Sequence, residues 1–144
     1  MVFMISKEMR RGYVSVGNSA ETADFIIDNL IYWWINFGVI YYPEATDVLL
    51  FFDAGRANSY LSHLFKIELD RLRNEIGLNI QIKHYPLYTS KLNPIEHYIY
   101  CVLRGVFIRS FDEFITLVNR AKTKAGLKVI SYTNNKIYET VKCG

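Results

Sequence analysis

DVLLFFDAGRANSYLSHLFKIELDRLRNEIGLNIQIKH, residues 47–84, is the stretch that decides the fold. Its first six residues, Asp47 to Phe52, are apolar after the first position and do not alternate. Such a run suits a central strand covered on both faces. Leu61, Leu64, Phe65, Leu69, Leu72 and Ile76 then recur at helical spacing, and Gly77 suits the helix end. Ile80 and Ile82 alternate with Gln81 and Lys83, as in a strand with one inward face. Strand, helix and strand with short connections make a βαβ unit. That unit predicts parallel strands and a right-handed crossover.

Working outward, GYVSVG (12–17) is β-branched and closed by a glycine, which reads as a strand. A helix follows in NSAETADFIIDNLIYWWINFG (18–38), with Asn18 or Ser19 as its cap and Gly38 at its end. Phe25, Ile26, Leu30, Trp33, Trp34 and Phe37 form its apolar face, and the tryptophans read as core. Downstream, Asn93 and Pro94 suit the cap and first position of a helix in NPIEHYIYCVLRGVF. Ser110 and Glu113 can form a capping box for SFDEFITLVNRAKTKAG. The tail LKVISYTNNKIYETVKCG reads as a short strand and an irregular end. The pattern is α/β, with a mixed sheet and a parallel βαβ unit flanked by helices.

The bulk properties fit one domain over residues 1–144. Seventeen basic residues against fourteen acidic give a net charge of +3, which suits a polyanionic partner without requiring one. Cys101 and Cys143 belong to no C-x-x-C pattern, which argues against zinc and a disulfide framework. Two free thiols suit a reducing cytoplasm. MVFMISKEMRRG lacks the apolar core of a signal peptide. The most apolar stretches, Ile26 to Ile40 and Val48 to Phe52, are too short or interrupted to span a bilayer, so no membrane partner is expected.

Chemistry enters with two acids. Asp53 stands just past the first strand of the βαβ unit, at the edge where parallel sheets bind ligands. The loop after the strand ending near His84 leaves from the same edge. It delivers the helix that starts at Pro94, with Glu96 in its first turn. Topology can therefore bring Asp53 and Glu96 together. Carboxylates about 4 Å apart repel by about 4 kcal/mol at an effective dielectric near 20. A pair held that close must share a proton or hold a cation. Oxygen ligands suit magnesium or manganese, which assist phosphoryl transfer. The plainer readings are a turn started by Asp53 and a helix N-terminus stabilised by Glu96.

YVSVG, ETADFIIDNLIYWW, FFDAGRANSYLSHLFKIELDRL, GLNIQIKHYP, TSKLNPIEH and TKAGLKV occur in this order. Together they resemble a DDE transposase of the ISAzo insertion-sequence group, over about residues 12–138. LNPIEH also looks like mariner-type transposases. The resemblance implies a partial RNase H-like fold and metal-dependent cleavage and joining of DNA at transposon ends. It implies Mg2+ or Mn2+ as cofactor, with Asp53 and Glu96 as the second and third acids of the triad. Lys91, Arg56 and His97 would contact DNA; the plainer reading makes them ordinary surface groups. Arg56 stands where the family has a glycine. The family's first Asp lies upstream of the part matched by GYVSVG. The resemblance therefore implies an N-terminally truncated catalytic domain, inactive alone.

The alternative is a non-catalytic transposase remnant that binds DNA or other transposase subunits. Eleven tyrosines interleaved with Lys and Arg could stack on bases, or be half buried in the fold. There is no P-loop and no G-x-G-x-x-G, which disfavours a nucleotide-binding α/β domain.

Overall fold

The computed structural model describes residues 2–6 by their backbone, and residues 11–52, 63–85, 108–120 and 128–139. The chain divides into two compact units: residues 1–18 with 90–136, and residues 19–89 with 137–144. No described helix is long and apolar enough to cross a membrane.

Three described strands form the sheet of the first unit. β1 (Val2–Ser6) runs antiparallel to β2 (Arg11–Gly17), which pairs in parallel with β5 (Lys128–Asn134). β1 lies where the sequence reading placed no strand. Flanked on both sides, β2 is buried from Gly12 to Val16. Helix α4 (Phe111–Arg120) packs on β5 and buries Val118. Its cap is the expected one: Ser110 Oγ accepts the Glu113 N–H at 3.2 Å. The Glu113 carboxylate, however, reaches back to the N–H of Arg109 at 2.8 Å, one residue before the cap.

α4 also guards the outer edge of β5. The Ser131 N–H donates to Asn119 Oδ1 at 2.7 Å. The Ser131 hydroxyl lies 3.0 Å from that same oxygen and 3.2 Å from the Ile115 carbonyl, between which its one proton is shared. A side chain thus occupies a strand N–H that would otherwise template another strand.

The second unit holds the βαβ stretch. β3 (Asp47–Phe52) and β4 (Asn79–His84) are parallel, as expected, and α3 (His63–Ile76) connects them. Gly77 adopts φ +70° and bonds back to the Arg73 carbonyl at 3.0 Å, so it is the end signal it was expected to be. The expected mixed sheet occurs as β1–β2–β5, while the parallel unit forms its own two-stranded sheet. The full cover expected for β3 is corrected: half-buried and exposed residues alternate along it. The apolar run did not report how many faces find a partner.

Helix α1 (Ala23–Trp33) buries Phe25, Ile26, Ile27 and Leu30 and packs against α3. Its cap is Thr22, rather than Asn18 or Ser19; the Thr22 hydroxyl oxygen accepts the Phe25 N–H at 3.4 Å. Nor does the helix stop at Gly38. It passes through a π turn (Trp34–Gly38) and ends in a short α2 (Val39–Tyr41). A Cβ on Gly38 would stand 2.3 Å from Trp34 Cε3, so this glycine makes room for an indole. Trp33, Trp34 and Phe37 are half-buried.

Candidate functional site

The C-terminal ends of β3 and β4 coincide. The register pairs Phe52 with His84, and the Tyr85 N–H donates to the Phe52 carbonyl at 2.7 Å. Both strands therefore end at the same edge of the sheet. Asp53 follows Phe52 directly in the sequence.

Aromatic rings brace this edge. Phe52 meets Phe65 of α3 edge-on, with centroids 5.3 Å apart, and lies 6.1 Å from the His84 ring. On the other face, Phe51 and Tyr85 stack at 5.6 Å. His84, which had no visible role in the sequence, belongs to this bracing. Its register with Phe52 is set by the parallel pairing, and no local sequence signal announces it. His63 is exposed at the start of α3.

Asp53, Arg56, Lys91, Glu96 and His97 lie outside the described residues, as do Cys101 and Cys143 and the helix expected from Pro94. Among the described residues, no three His, Cys, Asp or Glu side chains gather to hold a metal ion.

The described acids that do cluster are neutralised by a cation. Arg71 on α3 donates to Asp28 on α1 at 2.8 Å and to Glu68 at 2.7 Å. Asp28 also accepts the Tyr138 hydroxyl at 2.8 Å. Burial lowers the Arg71 pKa, but hydrogen bonds and charge from Asp28 and Glu68 outweigh it and leave the pKa raised. With a guanidinium filling the space between the carboxylates, this cluster is a clasp between helices rather than a cation site. Glu68 and Arg71 stand three residues apart on one helix, a local signal that the sequence reading did not use. Asp28 and Tyr138, 43 and 67 positions from Arg71 in the sequence, carry no such signal.

A divalent ion would need hard oxygen donors without a competing cation. Asp53 and Glu96 supply donors of that chemistry. A family model described as the Rhodopirellula transposase DDE domain matches residues 4–142. No curated protein and no solved structure matches the chain.

Proposed function

The chain belongs to the Rhodopirellula transposase DDE domain family, and from that membership we propose that it handles DNA through Asp53 and Glu96. Membership assigns the chain to DNA transposition at the level of the family. The finer reading is metal-dependent cleavage and transfer of DNA strands at transposon ends, by an RNase H-like domain working in the cytoplasm.

The observation that carries this reading is the shared edge of β3 and β4. Phe52 pairs with His84 in a parallel register, so the connections holding Asp53 and Glu96 both begin at one end of the sheet. This is the edge at which open α/β sheets receive ligands. Asp53 and Glu96 would hold Mg2+ or Mn2+ through carboxylate oxygens. Bound there, such an ion would supply Lewis-acid chemistry to a phosphodiester and to an attacking hydroxyl. Arg56 and Lys91 would neutralise phosphates, and His97 would approach the scissile phosphate beside Glu96.

Two readouts test the assignment. Mn2+ titrated into the chain and followed by electron paramagnetic resonance is expected to bind, with weaker binding in Asp53→Ala and in Glu96→Ala. Mn2+ binding unchanged in both variants sinks the metal role of these acids. Plasmid nicking that survives both substitutions sinks their catalytic role. Salt-dependent DNA binding without nicking would favour the non-catalytic reading, a DNA-binding or subunit-interaction module.

A further inference from the structure

We propose that the exposed face of the β3–β4 sheet docks on the same face of a second copy of this chain. The face is defined by register. Asp47, Leu49 and Phe51 of β3 stand beside Asn79, Gln81 and Lys83 of β4, and all six are exposed. Leu49 is 45% exposed and Phe51 52%, unusual for large apolar side chains on a strand. The Tyr85 ring stacks on Phe51 and enlarges the apolar centre. Water is a poor solvent for such a patch.

The charges identify the occupant. An acid, Asp47, stands at one end of the face and a base, Lys83, at the other. Four residues separate the ends, about 13 Å at the rise of a strand. A polyanion would gain at Lys83 and lose at Asp47. A neutral partner would use neither group.

A second copy uses both. A two-fold axis lying in the plane between the sheets and crossing the strands reverses strand direction. It sets each Asp47 against the other copy's Lys83 and each Leu49 against its counterpart. Such a contact is self-complementary, as a two-fold interface must be. Sheets packed face to face lie about 10 Å apart, within reach of a lysine across the gap.

Two strands of six residues offer a face of about 20 by 10 Å, well short of the roughly 800 Å² per partner of a stable interface. The association is therefore weak and depends on concentration.

The test is sedimentation equilibrium of the full chain up to millimolar concentration. The wild type is expected to pass from monomer to dimer. Asp47→Lys alone and Lys83→Asp alone are each expected to weaken dimerisation about tenfold, since two attractive pairs become repulsive. An equimolar mixture of the two variants is expected to associate again as a heterodimer, because every facing pair is then opposite in sign. Far-UV circular dichroism checks that each variant is folded. Asp47→Asn and Lys83→Gln, with smaller losses expected, replace any that is not.

A wild type that stays monomeric overturns the proposal. So do charge variants that dimerise as well as the wild type, and so does a mixture that fails to associate. A monomeric chain whose face binds a single-stranded oligonucleotide, with binding lost in Phe51→Ser, overturns it in favour of nucleic acid.

Discussion

The two sheets treat their strands in opposite ways. β2 has neighbours on both edges and is buried from Gly12 to Val16. β3 is more continuously apolar, yet it pairs with one described strand and exposes every second side chain. Hydropathy alone would rank them the other way. Burial follows from how many neighbours an element finds, and those neighbours come from distant parts of the chain.

The largest effect that could break the comparison lies within the second unit. Phe65 is buried and braces Phe52, so Phe65→Ala is expected to cost about 3–5 kcal/mol of stability in urea unfolding. Phe51, on the open face, is expected to cost under about 1 kcal/mol when changed to Ala. Equal losses would show that the face is covered.

The guarded edge of β5 gives the next effect. Asn119→Ala leaves the Ser131 N–H without its acceptor and is expected to cost about 1–3 kcal/mol by thermal unfolding. No loss would mean that the Asn119 side chain does not hold the Ser131 N–H in solution.

The clasp between α1 and α3 is polar and partly exposed, so its contribution is smaller. Arg71→Met is expected to cost about 1 kcal/mol, measured as a shift in the urea midpoint. Because the Arg71 pKa is raised, its contribution is full below the ordinary arginine value and is lost only as pH climbs through the raised one. The difference between wild type and Arg71→Met should therefore carry no Arg71 titration near neutral pH. A step there would mean that another group drives the clasp.

Smallest is the exposed cap of α4. Ser110→Ala is expected to cost about 0.5–1 kcal/mol, with lost helicity by circular dichroism as the check.

Much of the second unit was legible because its signals are local. The helical spacing of Phe65, Leu69 and Leu72, the glycine at 77 and the alternation of Ile80 and Ile82 each report on a few neighbours. The Ser110 cap was legible for the same reason. The Thr22 cap was not, since Asn18, Ser19 and Thr22 all carry a suitable side chain and only the path of the backbone chooses. Gly38 misled because a glycine that makes room for an indole has the same letter as one that ends a helix. β1, the pairing of β2 with β5, and the exposed face of β3 depend on partners remote in sequence. Of the candidate site, the shared edge of β3 and β4 was legible from the βαβ pattern, while Asp53 and Glu96, expected there from the same topology, lie outside the described residues.

The last described rung between the β3 and β4 segments, Tyr85 N–H to the Phe52 carbonyl, lies one residue short of Asp53. Its proton can trade for deuterium only when that rung opens. Tyr85 is therefore a built-in clock for the strand end. Its exchange rate reports how often the backbone next to the candidate acid comes apart, without any label placed on the acid itself. A ligand that holds Asp53 in place should slow this clock and leave amides on the sheet of the first unit unchanged.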